Sequence, residues 1–206
     1  LESVKDATEI NLIQPILIGN KKNIYSIAND INFNIENLEI IDEPSDVECA
    51  AIGCELAKKN KIKIMVKGHL HTDVLMRSYL KKEFGLLEGK RLSHIWHMSG
   101  DLLKKPLFIT DGALNVAPRV DIKLYILRNA IEFANKTGLT KPKVAILSGT
   151  EDPIESMPSS VEAKEVMELA KKENVNAYIH GPLALDNAIS KEAAKIKNIQ
   201  NEIFKN

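Results

Sequence analysis

The sequence predicts an α/β protein with largely parallel sheets, and three observations carry that prediction. Short apolar runs alternate with stretches whose apolar residues recur at helical spacing, the pattern of strand–helix–strand units. Four of the apolar runs end in polar, glycine-marked segments, as strand-to-helix turns do. A single pair of strands follows without an intervening helix, so only that pair is expected to run antiparallel, because parallel neighbours need a crossover.

In chain order, residues 1–11 read as a helix and 15–18 as a strand closed by Gly19. Residues 21–29 read as a helix and 38–41 as a strand. Apolar residues at Val47, Ala50, Ala51, Cys54 and Ala57 make 47–59 an amphipathic helix. A strand is expected over 62–66, then the polar turn Lys67-Gly68-His69-Leu70-His71-Thr72, then a helix over 73–84. Strands over 92–98 and 106–110 form the antiparallel pair across Ser99-Gly100-Asp101. Beyond them the pattern gives a helix over 120–137, a strand over 143–147, a helix over 159–173, a strand over 177–179 and a helix over 186–197. The domain break is placed at Ala117-Pro118-Arg119, giving a first α/β domain over 1–118 and a second over 119–206.

Charge and composition narrow the function classes. With 28 Lys+Arg against 28 Asp+Glu the chain has no long-range pull toward nucleic acid or an anionic membrane. A content of 44% hydrophobic and 27% charged residues is that of an ordinary globular protein. No apolar run approaches the ~20 residues that span a bilayer, and no basic-then-apolar start reads as a secretory signal. Cys49 and Cys54 fit neither a CxxC redox pair nor a zinc knuckle, and read as buried thiols of a reducing, cytoplasmic compartment.

In an α/β sheet, ligands bind beyond the carboxyl ends of the strands. The four polar segments there are Gly68-His69-Leu70-His71-Thr72, Asp111-Gly112-Ala113-Leu114-Asn115, Ser148-Gly149-Thr150 and His180-Gly181-Pro182. Glycine lets backbone amides approach a ligand, and helix N-termini attract anions. Together the segments suggest one crevice for a phosphate-bearing ligand, although Gly68 and Gly149 taken singly read rather as tight turns. Thr72 and Asp186, taken singly, read rather as helix caps. His69 and His71 share one face if extended, but no third ligand is locally spaced, and His94 and His97 point to opposite faces of their strand; no metal site is expected. The P-loop, the dinucleotide fingerprint and the G-x-S-x-G elbow are all missing from the sequence. An aromatic content of 5% does not support a base-stacking surface.

The same segments resemble one family. Lys67-Gly68-His69-Leu70-His71-Thr72-Asp73 is similar to the KGxxHTD-type turn of phosphate acetyl/butyryl transferases. Arg91-Leu92-Ser93-His94 and the run from Ile109-Thr110-Asp111 through Asn115 to Pro118 resemble that family's strand pair and D-x-x-x-N-x-x-P loop. Lys143-Val144-Ala145-Ile146-Leu147-Ser148 resembles its central strand, and Gly181-Pro182-Leu183-Ala184-Leu185-Asp186-Asn187-Ala188 its GPLxxDNA motif. The likeness extends over almost the whole chain, in particular to the phosphate butyryltransferase branch and to the acyltransferase module fused to enoyl-CoA hydratases.

The resemblance implies reversible transfer of a short acyl group between coenzyme A and inorganic phosphate, with both as substrates and no further cofactor. It also implies a homodimer and a two-domain fold like that of isocitrate and isopropylmalate dehydrogenases, with a cleft between the domains. Substrate contacts are expected from Gly68, His71, Thr72, Arg77, Asn115, Ser148, Gly149, Thr150, Gly181 and Asp186, with Arg77 the natural cation for phosphate, or else a solvated helix arginine. None of these is expected to be catalytic. Family members carry a strand before the first helix, and later strands with a Ser-Arg segment and an aspartate suited to take the thiol proton. The chain opens on Leu1 rather than Met, and 201–206 follow a helix without a closing strand. The expectation is therefore a family fold incomplete at both ends, inactive as this piece alone. The competing expectation is a shortened, non-catalytic relative that still binds coenzyme A or phosphate. A dehydrogenase of the isopropylmalate type is weaker, for lack of an aspartate cluster for Mg²⁺.

Overall fold

The computed structural model describes residues 1–87, 89–101, 103, 105–199 and 203. The chain divides into two compact units, Leu1–Gly89 and Lys90–Asn206. Compactness thus places the division after Gly89, whereas the sequence placed its domain break at 118/119. The reason is local: the strand pair before residue 111 packs on the long helix after 119, as described below.

The first unit begins with helix α1 (Glu2–Glu9), strand β1 (Ile16–Gly19), helix α2 (Lys21–Asp30) and strand β2 (Glu39–Asp42). β1 and β2 pair in parallel, Ile16 opposite Glu39 and Gly19 opposite Asp42. Asn20 caps α2, its Oδ1 accepting from Asn23 N at 3.0 Å. Leu17, Ala28, Phe33 and Ile35 form the core beneath this pair. Helix α3 (Asp46–Lys58) starts at the Ser45 cap and buries Ala50 and Cys54. Burial pushes the Cys54 thiol up; Cys49, half-buried, is raised by burial and by the carboxylates of Glu43 and Asp46.

The strand expected over 62–66 does not form. Met65 folds against Gly53 of α3, with Sδ 3.4 Å from where a Cβ on Gly53 would stand, while Ile64 and Val66 are 75% and 78% exposed. The alternating pattern is present, but no described strand pairs with it. Helix α4 (Thr72–Tyr79) is also shorter than the expected 73–84; after Leu80 and Lys81 a 3₁₀ turn (Lys82–Phe84) follows, closed by Gly85 at φ 63°.

In the second unit, β3 (Ile95–Met98) and β4 (Leu107–Thr110) pair antiparallel, as expected. Helix α5 (Val120–Lys136) packs against this hairpin: Phe133 meets the Phe108 ring edge-on at 5.4 Å between centroids. Asn129 of α5 also donates to Arg91 O at 2.7 Å, which ties the approach to β3 into this unit. Strands β5 (Lys143–Leu147) and β6 (Tyr178–Leu183) pair in parallel, and helix α6 (Pro158–Lys172) connects them. Leu124, Leu127, Ile131, Ala170 and Ile179 close the core between α5, α6 and β6. Lys123 pairs with Glu162, and Arg128 with Glu173, across the two helices.

Two expectations near the end are corrected. β6 continues to Leu183, so His180-Gly181-Pro182 lies inside the strand rather than in a loop after it. The helix expected over 186–197 is two helices, α7 (Leu185–Ile189) and α8 (Lys191–Ile196), because Ser190 is extended (φ −119°, ψ 116°) and caps α8 by accepting from Ala193 N at 3.2 Å. The stretch 201–206, expected to follow without a closing strand, lies outside the described residues apart from Ile203. Among the described residues two of the three sheets are parallel pairs and one is antiparallel, so the architecture is a mixed α/β fold of small sheets and helices.

Candidate functional site

In the first unit, the segment after residue 66 is open to solvent. Gly68 has nothing within 4 Å of a built Cβ, so packing does not require glycine there. His71 is the N-cap of α4 without a side-chain cap bond, and Thr72 is the first helical residue, which corrects the cap reading of Thr72. Arg77 projects from the last turn of α4, and its Nη2 lies 3.2 Å from Asp73 Oδ2, one turn back. Both side chains are exposed.

The second unit gathers more. Strand β5 hands over to Ser148, whose amide donates to Leu183 O at 2.9 Å and so extends the β5–β6 pairing by one rung. Ser148 Oγ lies 2.9 Å from Ser159 Oγ in the first turn of α6. Helix α6 has Met157 at its N-cap with no side-chain cap bond and Pro158 in its first turn. A hydroxyl pair therefore sits at the start of a long helix, where amides and helix dipole favour an anion. A Cβ added to Gly149 would stand 3.3 Å from the flexible Met157 side chain, and Thr150 Oγ1 accepts from Asp152 N at 3.3 Å.

Next to this turn is a charged brace. Asn187, fully buried, donates its side-chain amide to Glu151. Lys197 Nζ lies 3.0 Å from Asp186 Oδ2 and 3.5 Å from Glu151 Oε1. The hydrogen bond to Lys197 holds the Asp186 carboxyl below its ordinary value despite some desolvation, and the same bond raises Lys197. Asp186 is not the cap expected from the sequence: Ala184 occupies that place, and Asp186 sits in the first turn of α7. Gly181 is buried against β5, where an added Cβ would stand 2.7 Å from Ile146 Cβ and 2.9 Å from Ile146 O. Its place in the structure is a close strand approach.

Asn115 is also committed internally. Its Nδ2 donates to Asp111 Oδ2 at 2.6 Å and to Leu92 O at 2.9 Å. Asp111 Oδ1 accepts from the amides of Ala113 and Leu114, both at 2.9 Å. Burial pushes the Asp111 carboxyl up, but these hydrogen bonds outweigh it and hold the group below its usual value. Ser159, Glu151, Asn187 and Lys197 were not singled out as functional from the sequence. Asn187 stood inside a quoted motif and Ser159 beside a helix-opening proline; Glu151 and Lys197 had no local signal.

Comparison with known proteins decides the family. Residues 45–204 match the family model described as phosphate acetyl/butaryl transferase, a stretch that includes every candidate residue above. The chain belongs to that family. A phosphate acetyltransferase of Rickettsia typhi is 37% identical over 202 residues, covering 97% of this chain and 58% of its own length. A phosphate butyryltransferase of Clostridium acetobutylicum is 34% identical over 204 residues, covering 98% of this chain and 68% of its own. Among solved structures, a branched-chain phosphotransacylase from Enterococcus faecalis V583 superposes with a TM-score of 0.76 at 30% identity, over 97% of this chain and 70% of that one. The chain thus spans 58% of the Rickettsia relative, and its small sheets and helices have the phosphotransacylase fold. No described helix is long and apolar enough to cross a membrane.

Proposed function

We propose that the protein containing this chain exchanges a short acyl group between coenzyme A and inorganic phosphate. The observation that carries the reading is the Ser148–Ser159 hydroxyl pair at the start of α6, in a chain of this family. Two hydroxyls and the first amides of a 15-residue helix supply donors and a favourable dipole for a phosphate. On the first unit, taken by itself, the exposed Arg77 is a further candidate cation for phosphate, paired with Asp73 at 3.2 Å. In the direction of thioester synthesis, the coenzyme A thiol loses its proton to a base and the sulfur attacks the acyl carbonyl carbon. The tetrahedral oxyanion then collapses, the carbon–oxygen bond to phosphate breaks, and phosphate leaves. Hydroxyl donors around that phosphate stabilise the charge it gains as it departs.

The same reading includes a two-domain architecture of the isocitrate/isopropylmalate dehydrogenase kind, a homodimer, a cytoplasmic location and no cofactor besides the two substrates. The family match is what supports it. The test is thiol release from acetyl- and butyryl-coenzyme A by the full-length protein on addition of phosphate. Arsenate should replace phosphate and give net hydrolysis, because an acyl arsenate breaks down in water. Phosphate-independent release, or none across short acyl chains, overturns the reading. Binding of coenzyme A without turnover would instead identify the non-catalytic relative.

A further inference from the structure

A cavity of about 400 Å³ opens on the second unit alone, between the segment before β3, the loop after β4 and the first turn of α5. Arg91 and Arg119 line it together with Asn115, Val116, Pro118 and Ile122. The volume falls within the range of small-ligand sites, roughly 300–1,000 Å³.

Its walls have two characters. Arg91 makes no ion pair among the described residues, yet its backbone is held by two side-chain amides. Its own carbonyl accepts from Asn129 Nδ2 at 2.7 Å, and the next carbonyl, that of Leu92, accepts from Asn115 Nδ2 at 2.9 Å. Arg119 shares one guanidinium nitrogen with Asp121 at 3.0 Å and keeps its other donors. It is also the N-cap of the 17-residue α5 and contributes no side-chain cap bond. Against Arg91 and Arg119 stands the Asp121 carboxylate, so the cavity keeps a net positive character in a chain whose overall charge is zero. The other wall is apolar: Val116 is 95% exposed beside Pro118 and Ile122. A ligand matched to both walls has phosphate groups for the guanidiniums and a flat, weakly polar body for the apolar side.

We infer that this cavity binds the phosphorylated nucleotide end of coenzyme A, with Arg91 and Arg119 holding its phosphates and Val116 lying under the base. The inference rests on the acyl-transfer reading for its choice of nucleotide. It assigns a specificity for coenzyme A over thiols that lack the nucleotide.

The test uses the full-length protein, Arg91→Gln, Arg119→Gln and the double variant. Both arginines are exposed, so the variants should fold, and circular dichroism with melting temperature verifies this. Titration with adenosine 3′,5′-bisphosphate should show binding that weakens about tenfold in each single variant and falls steeply with salt. The KM for coenzyme A should rise by a similar factor, while the KM for 4′-phosphopantetheine and for inorganic phosphate stay as they were. Nucleotide binding that is absent, or equal in wild type and variants, overturns the inference. A rise confined to the KM for inorganic phosphate overturns it too, by making the cavity a phosphate site. If nucleotide binding depends on the arginines but no thiol is released with phosphate, the acyl-transfer reading fails while the nucleotide site stands. If transfer proceeds with an unaltered KM for coenzyme A, the site fails and the acyl-transfer reading stands.

Discussion

Asn115 Nδ2 lies 2.6 Å from Asp111 Oδ2, and the same nitrogen reaches across to Leu92 O at 2.9 Å. The pair therefore stitches the loop after β4 to the segment before β3. Asp111 is the hub, since its other oxygen accepts two backbone amides. A carboxyl held below its ordinary value in the folded state stabilises the fold fully above its unfolded pKa, near 3.9. That contribution is lost as pH falls through the lower, folded value. Asp111→Asn should thus be less stable than wild type by about 1 kcal/mol at pH 7, kept small by solvent exposure of the site. In urea melts the gap should shrink as pH drops below about 4. A gap that stays constant from pH 7 to pH 3 would show that the carboxylate charge is not what holds the loop.

Gly181 makes a sharper stability prediction. β5 advances from Ala145 to Leu147 while its partners on β6 advance from His180 to Leu183, so β6 carries an extra residue opposite Ile146. A methyl group on Gly181 would stand 2.7 Å from Ile146 Cβ and 2.9 Å from its carbonyl oxygen. The strands must then move apart at their closest point. Gly181→Ala should cost about 1–3 kcal/mol, read as a lowered urea midpoint. The companion change Gly68→Ala, where nothing lies within 4 Å, should leave the midpoint within about 0.5 kcal/mol of wild type. Equal effects at the two glycines would refute the packing account.

The sequence could be read wherever the signal was local. The apolar spacing of 47–59 is a short-range feature, and α2 and α3 formed within a residue of expectation. The segment 62–66 shows the opposite case, because strand formation needs a partner that no local pattern supplies, and Met65 found α3 instead. Gly181-Pro182 carries the composition of a turn, yet the chain uses its lack of a side chain to fit against Ile146 within β6. At the candidate site, Ser148 and Thr150 could be singled out because they follow the end of a strand. The brace of Lys197 on Asp186 and Glu151 was not, since it joins residues distant in sequence through long side chains.

The hydroxyl pair of Ser148 and Ser159 should act on phosphate and little else. Each side chain can donate one hydrogen bond; at 2.9 Å apart one hydroxyl donates to the other, and Ser148 Oγ also lies 3.4 Å from Met157 Sδ, until a ligand offers better acceptors. Ser159→Ala removes one donor without emptying any core, because Ser159 is exposed. The KM for phosphate should rise about three- to tenfold in either single variant, with the KM for acyl-coenzyme A unchanged. The double variant should fall short of the product of the two, as expected for neighbours in contact. Matching rises in both KM values would assign the pair to holding the turn and not to the anion.

Arg77 offers the clearest separation between a binding role and a surface role. Its guanidinium pairs with Asp73 one helical turn back, and the two side chains are 81% and 60% exposed. Such a pair is worth only about 0.3–0.5 kcal/mol to the helix. Arg77→Ala should therefore leave the melting temperature almost unmoved. If the guanidinium leaves Asp73 to meet phosphate, the same variant should raise the KM for phosphate by roughly ten- to a hundredfold, the worth of a charge-assisted hydrogen bond. The KM for acyl-coenzyme A should rise less. Asp73→Asn removes the competitor for Arg77 and should lower the KM for phosphate, by no more than about threefold given the weakness of the pair. Opposite signs in the two variants can arise only if Arg77 exchanges one anion for another. An Arg77→Ala enzyme with both KM values shifted equally, or neither, would return Arg77 to the role of a solvated helix cation.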